Sequence, residues 1–333
     1  MHPLAGTLPP NPFVPILLAC FSDSRRLFAV LSAVLVTDLQ TACEGIPLDE
    51  RAARFYVAGV FRALTYVHEA EVVCRACSLD AVMLDAKGYP QLTDFSLSKS
   101  VTTGRTHTLC GTPDYLAPEI VKMTGHGIEA DYWALGVLMF ELLAAHSPWD
   151  DPPREGGGEG GGEGGSEGGA KVERRSEIQV YAAITAHGQD GAPPLRFPAE
   201  LTDGARGMIS ELMEPDLGER LGCRGAGPDD LTDCTEWYVG FPWSALDQKL
   251  QPDAKAEPKW CVFRPKCEAL ARGFFSPDGG AEEVEFEAPA YYGENRWCVD
   301  WDFMCTVGYT VADARENDKH SLTRKGSITH GSL

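Results

Sequence analysis

Positive charge is what this 333-residue chain has least of: 29 Lys and Arg stand against 49 Asp and Glu, a formal net charge of −20. A general nucleic-acid binder needs clustered cations to displace counterions from phosphate, and docking on anionic lipid needs them too. Neither nucleic acid nor a membrane is therefore expected as a partner; the acidic balance favours proteins with basic segments. A membrane-length apolar run is missing as well. Phe13 to Val36 comes nearest, but Ser22-Asp-Ser-Arg-Arg26 breaks it, and Leu27 to Val36 is too short to span. The first dozen residues hold no Lys or Arg, so the charged start of a secretory signal is lacking. Cysteine is plentiful, eleven in all, yet an odd count in so long a chain does not make a small disulfide scaffold. Reduced thiols and a cytoplasmic location are the expectation.

What is present, at 44% hydrophobic residues, suffices for a substantial core. Residues 1–12 are Pro-rich and irregular. Leu27-Phe-Ala-Val-Leu31 reads as a buried strand. From Leu48 to Glu69 the period becomes helical, with Phe55, Val60, Phe61, Leu64 and Val67 on one face. Val82-Met-Leu84 and Gln91-Leu-Thr93 read as short strands around a Lys87-Gly88 turn. Ala130 to Ala145 is apolar nearly all round, which predicts a buried helix. Glu155 to Ala170 repeats Glu-Gly-Gly-Gly and offers nothing to a core, so it reads as an inserted surface loop. Helical pattern resumes at Ile178–Ile184 and again over Thr202–Met213, with Thr202 or Asp203 as N-cap. Beyond Pro252 the periodicity fades and aromatics alternate with acids.

Three segments follow in an informative order: Leu92-Thr-Asp94-Phe95-Ser96, Gly111-Thr-Pro-Asp-Tyr-Leu-Ala117-Pro118-Glu119, and Asp131-Tyr-Trp133-Ala-Leu-Gly136. Together they resemble the C-terminal lobe of eukaryotic protein kinases. Thr108-Leu-Cys-Gly-Thr-Pro-Asp-Tyr115, Glu219-Arg-Leu-Gly222 and Trp237-Tyr-Val-Gly-Phe-Pro-Trp243 are similar to the AGC group, which contains the cyclic-nucleotide-dependent serine/threonine kinases. The resemblance covers roughly residues 11–248. It implies a mainly α fold, a kinase-like C-lobe with a few short β-strands from a vestigial N-lobe. The expected organisation is N-lobe strands and hinge over 1–38, the C-lobe over 39–248 with the Gly/Glu-rich insertion at 152–176, and an acidic aromatic tail over 249–333.

The departures from the family pattern concern chemistry. Asn11-Pro-Phe13 resembles the turn after the regulatory N-lobe helix, and the ten residues before it supply no Gly-rich loop, strand Lys or helix Glu to hold ATP phosphates. Where the family reads His/Tyr-Arg-Asp-Leu-Lys-Pro-Glu-Asn, this chain has Cys74-Arg-Ala-Cys-Ser-Leu-Asp-Ala81. Ala76 takes the catalytic Asp position, Ser78 the phosphate-contacting Lys position and Ala81 the metal-binding Asn position. Loss of a general base alone costs on the order of 10²–10⁴ in rate, and the electrostatic groups supply the larger share in phosphoryl transfer. Asp80 is the one candidate substitute base, displaced along the loop from in-line geometry. Asp94 keeps the family's Mg²⁺ position and Asp38 an acidic position that contacts ribose, so ATP and Mg²⁺ are implied by resemblance, with binding expected weak or absent. Ser96 replaces the hinge Gly of Asp-Phe-Gly.

By the same resemblance, Glu119 and Arg220 form a buried ion pair, Asp131 ties the catalytic loop to the central helix, and Trp133 and Gly136 are packing positions. Thr108 matches the activation-loop phosphosite, with Arg75 and Lys99 as phosphate partners; an unphosphorylated Thr108 would hydrogen-bond Arg75 instead. Arg324-Lys-Gly-Ser327 resembles a substrate motif, so another kinase acting on Thr108 or Ser327 is an expected partner. Cys74-x-x-Cys77 and His107-x-x-Cys110 have zinc-ligand spacing, the metal alternative for this region. The expectation is a pseudokinase-type binding or regulatory module. Docking surfaces would be the loop Gly111–Ala117 and the helices near Tyr181 and Trp243. The rival expectation is an active serine/threonine kinase of unusual mechanism, or an incomplete gene product.

Overall fold

In the computed structural model, residues 9–22, 27–43, 45–150, 174–233 and 236–249 are described. Most of the Gly/Glu-rich insertion, the tail beyond Lys249 and Ser327 lie outside these residues, and so do the expectations placed on them. The chain opens with an antiparallel hairpin of β1 (Leu17–Ser22) and β2 (Leu27–Leu31), Ser22 opposite Leu27. The apolar stretch Phe13–Val36 is thus used in strands, and no described helix is long and apolar enough to cross a membrane. Next, β3 (Leu35–Asp38) runs into the short helix α1 (Leu39–Cys43).

Helix α2 (Glu50–Glu69) begins where Asp49 accepts the Ala52 N–H at 2.8 Å, satisfying an orphan donor of the first turn. Glu50 then accepts from both the Thr202 N–H and hydroxyl and from the Trp237 indole, pinning this helix start to distant chain. Strand β4 (Val72–Val73) follows, then β5 (Val82–Asp85) and β6 (Pro90–Leu92), and β7 (Lys99–Ser100) pairs back with β4. Strands β3, β5 and β6 form one sheet in that order, Thr37 opposite Leu84 and Met83 opposite Gln91. Helix α2 passes this sheet at Gly59, where an added Cβ would lie 2.4 Å from Pro90 Cγ.

After the short α3 (Pro118–Val121) comes α4 (Glu129–Ala144), buried on every side and packed against α2. Its neighbours explain its composition: a helix with no solvent face has no use for a polar stripe. Helix α5 (Glu177–Ala186) starts from a capping box between Ser176 and Gln179. Helix α6 (Asp203–Leu212) packs on α4 and is capped by the Thr202 hydroxyl, which accepts from Ala205 N–H. Two short helices, α7 (Asp229–Asp233) and α8 (Trp243–Asp247), complete the described chain. The observed bounds of α2, α4, α5 and α6 fall within a few residues of the periodicity in the sequence.

Candidate functional site

The loop 74–81, between β4 and β5, is set by one carboxylate. Asp131, in the first turn of α4 and 1% exposed, accepts the Cys74 N–H at 2.7 Å and the Arg75 N–H at 2.8 Å. His68 Nε2 stands 2.8 Å from the same carboxylate, and Tyr132 OH 3.3 Å from His68 Nδ1. These contacts hold Arg75 at φ +63°, a left-handed conformation that costs an L residue about 1–2 kcal/mol. The loop is therefore well fixed.

What it presents is chemically sparse. Ala76, Ser78 and Ala81 are all buried, and Ala76, Cys77 and Ser78 line a cavity of about 20 Å³ with Gly111, Tyr115 and Asp131, enough for a water molecule. The Ser78 hydroxyl donates to Asp80, which is exposed and lines a different, larger cleft. Asp94 lies beyond β6, exposed, with Oδ1 accepting the Ser96 N–H at 2.9 Å. Ala81 offers no side-chain oxygen to share a cation with it. Asp38, at the end of β3, accepts the Thr41 N–H at 2.6 Å and the Thr41 hydroxyl at 2.8 Å. Burial raises its pKa, but those bonds outweigh it and leave the carboxyl below its ordinary value.

Cys74 and Cys77 are fully enclosed, and burial, with the Asp131 charge adding to it, pushes both thiols well above their ordinary range. Among the described residues no group of three or more His, Cys, Asp or Glu is placed to hold a metal ion, so Cys74, Cys77, His107 and Cys110 do not assemble a zinc site.

The segment from Leu97 to Ala117 is tied down at several points. Thr106 and His126 exchange both backbone bonds, at 2.9 and 2.8 Å. Lys99 Nζ donates to the Thr106 hydroxyl at 3.1 Å, not to Thr108, which is exposed. Arg75 Nε donates to the Leu97 carbonyl at 2.6 Å, while its Nη1 is buried without an acceptor. Among the described contacts Arg75 bonds the Leu97 carbonyl rather than Thr108. Glu119 and Arg220 meet in a two-pronged pair, Nη1–Oε1 2.7 Å and Nη2–Oε2 3.0 Å. Arg220 also donates to the carbonyls of Glu214 and Glu129 and lies 5.2 Å over the Trp133 ring. Gly136 lets α6 approach α4: an added Cβ would be 2.7 Å from Met213 Cγ. Tyr181 donates to Glu177 on α5, and Trp243 packs against Phe61, Tyr238 and Phe241 under Arg62.

The larger cleft, about 500 Å³, was not foreseen as a unit. It lies between α1, the end of the loop 74–81, the loop 111–117 and the C-terminal end of α4, and Asp80, Asp114, Glu141 and Asp150 all line it. Ser147 donates to Asp114 at 2.6 Å, and the Tyr115 hydroxyl donates to Glu141. Burial chiefly, countered by the Tyr115 bond and reinforced by the Asp114 and Asp150 charges, raises the Glu141 carboxyl to about 7. The sequence did carry a signal: Glu141 is the one acid within an otherwise apolar helical run, Tyr132–Ala145.

With this geometry in view, the comparisons with known proteins are direct. The family model for the protein kinase domain matches residues 10–227. The chain belongs to the protein kinase domain family. Among curated proteins, it is similar to the cGMP-dependent protein kinase, isozyme 2 forms cD5/T2, of Drosophila melanogaster, 32% identical over 255 residues, covering 75% of this chain and 24% of that protein. It is similar also to the protein kinase C zeta type of Oryctolagus cuniculus, 34% identical over 246 residues, covering 72% of this chain and 37% of that protein. The chain thus spans less than two fifths of the length of these relatives.

Proposed function

We propose that this chain is a protein-kinase domain of the AGC serine/threonine type that is catalytically silent and acts as a binding or regulatory module in the cytoplasm. The observation that carries the reading is a catalytic loop held in place with nothing reactive on it. Asp131 fixes the loop through two backbone bonds, yet Ala76 and Ala81 present methyl groups. Asp80 does not substitute, because it is bonded to Ser78 and faces the larger cleft whereas Ala76 lines the smaller cavity. The family generally uses ATP and Mg²⁺, but the donor set here does not fit the metal. A hard cation wants several oxygens, and Ala81, at the position of the family's second ligand, offers no side-chain oxygen to join Asp94.

The partner surface is the 500 Å³ cleft, whose carboxylates and docking-loop wall, Thr112 to Tyr115, favour a basic protein segment. Thr108 is exposed to another kinase, and the resemblance makes Arg75 and Lys99 the partners of a phosphate there. The test is phosphotransfer to a basic peptide, beside thermal shift with ATP in the presence and absence of Mg²⁺. No turnover above an Asp94→Ala control and no saturable Mg²⁺-dependent shift are expected. Robust turnover lost in Asp94→Ala would sink the reading.

A further inference from the structure

Away from the cleft, the C-terminal end of the described chain is held by one cation set among aromatic walls. Lys249 follows α8, and its Nζ donates to Asp85 Oδ2 at 2.9 Å. The same ammonium lies 5.4 Å from the centre of the Tyr89 ring and 5.9 Å from that of Phe13. Both are within the distance over which a ring face attracts a cation. Phe13 is 0% exposed, Tyr89 1% and Asp85 9%, so the walls are closed; the Lys249 side chain is 26% exposed. Each wall is positioned by contacts of its own. Asp85 Oδ1 accepts the Lys87 and Tyr89 N–H groups at 2.9 and 3.0 Å, across the turn between β5 and β6. The Tyr89 ring packs on Phe55 of α2, and the Phe13 carbonyl accepts the Leu92 N–H at 2.8 Å. Lys249 adopts φ +48°, in the left-handed region, and its carbonyl accepts the Tyr89 hydroxyl at 2.7 Å.

We propose that Phe13, Tyr89 and Asp85 form a binding site for an ammonium group, and that Lys249 occupies it as a strap closing the C-terminal end of the described chain onto the segment before β1. The chemistry of the walls selects that ligand. Two ring faces attract a cation, and Asp85 turns one oxygen to the backbone of its own turn and the other to the ammonium. A compact ammonium on a flexible stem fits such a site. A neutral side chain at position 249 would leave the largely buried Asp85 charge without its partner. The strap joins parts of the chain that are distant in sequence. Asp247, two residues earlier, takes Arg62 of α2 at 2.9 and 3.2 Å, while Lys249 reaches Phe13 and the β5–β6 turn. Loss of the positive charge is thus expected to loosen the end of α8 and Phe13 together rather than either alone.

Chemical rescue tests this. In the full chain, Lys249→Ala removes Cγ to Nζ, the equivalent of n-propylammonium. It is expected to lower the melting temperature by about 2–8 °C. Hydrogen exchange at the Leu92 amide, which is bonded to Phe13, should quicken about 5-fold or more. n-Propylammonium chloride, bound by the folded variant alone, should restore both, whereas n-propanol and sodium chloride at the same concentration should not. Adding Asp85→Asn, which keeps an Oδ1 acceptor for the turn and removes the charge, should abolish the rescue. Unchanged melting and unchanged Leu92 exchange in Lys249→Ala overturn the strap. Rescue that is absent, that survives Asp85→Asn, or that n-propanol or sodium chloride equals, overturns the ammonium site. Where Lys249→Ala does not fold, Asp85→Asn in the otherwise unaltered chain decides: it is expected to quicken Leu92 exchange, and unchanged exchange overturns the proposal.

Discussion

Replacing Arg220 by methionine removes a guanidinium with no exposure and strands Glu119, 6% exposed, without its partner. Two charge-assisted bonds to Glu119 are lost, along with donors to the Glu214 and Glu129 carbonyls and the contact over Trp133. Breaking one side of a buried pair costs about 3–5 kcal/mol, since the remaining charge is left in low dielectric. For a folded unit of this size, roughly 2–4 °C of melting temperature goes with each kcal/mol, so Arg220→Met is expected to lower it by about 6–20 °C. Glu119→Leu/Arg220→Met should recover most of that, because a well-packed apolar pair replaces a buried ion pair at little net cost. About 1–2 kcal/mol should remain lost, from the two carbonyls without donors. Urea melts of the two singles and the double close the cycle. A loss under about 1 kcal/mol for Arg220→Met, or a double variant no more stable than the singles, would refute the assignment of this pair as the tie between α3 and the chain that follows α6.

Four further outcomes follow from the same contacts. Burial pushes the Glu141 carboxyl from its ordinary 4.5 up to about 7 in the folded chain; between these the folded state holds the extra proton, so its contribution favours folding below the lower value and is lost as pH rises through the upper one. Urea melts at pH 5 and 7.5 should therefore show the wild type losing about 2–3 kcal/mol more than Glu141→Gln over that interval. Asp131→Ala leaves the buried N–H groups of Cys74 and Arg75 without an acceptor, a cost of about 3 kcal/mol or more, and hydrogen exchange at those two amides should accelerate with it. Gly136→Ala forces a Cβ to 2.9 Å from Leu212 Cβ, and the overpacking should cost about 1–3 kcal/mol in a thermal melt. If the chain is silent as proposed, Ala76→Asp alone is not expected to produce phosphotransfer, because Ala81 would still lack a side-chain oxygen; turnover in that variant would refute the part given to Ala81.

Much of the fold is legible because helices announce themselves by local means. Thr202, one of the two N-caps expected from the sequence, does cap α6, while the caps Asp49 and Ser176 of α2 and α5 came with the structure. The all-round apolar run from Ala130 showed that α4 is buried. The strand β3 was harder: Leu35–Asp38 has four half-buried residues and no alternation, and only its pairing with β5 defines it. At the loop 74–81 the residue identities were readable, but the orientation of each side chain was not. Asp80 looked like a displaced base in sequence; in space it turns to the cleft behind Ser78.

The sequence by itself determined which chemistry is on offer. An alanine has no carboxylate wherever the fold puts it, so Ala76 and Ala81 limit the catalytic loop before any coordinate is known. Tertiary structure decided what the remaining charges do. Asp80, Asp114, Glu141, Asp150, Arg174 and Arg175 are scattered over nearly a hundred residues of chain and have no period in common. Only the packing of α1, the docking loop, the end of α4 and the start of α5 around one cleft makes them neighbours. Electrostatic coupling depends on distance and dielectric rather than on order along the chain, which is why the raised pKa of Glu141 emerges with the fold.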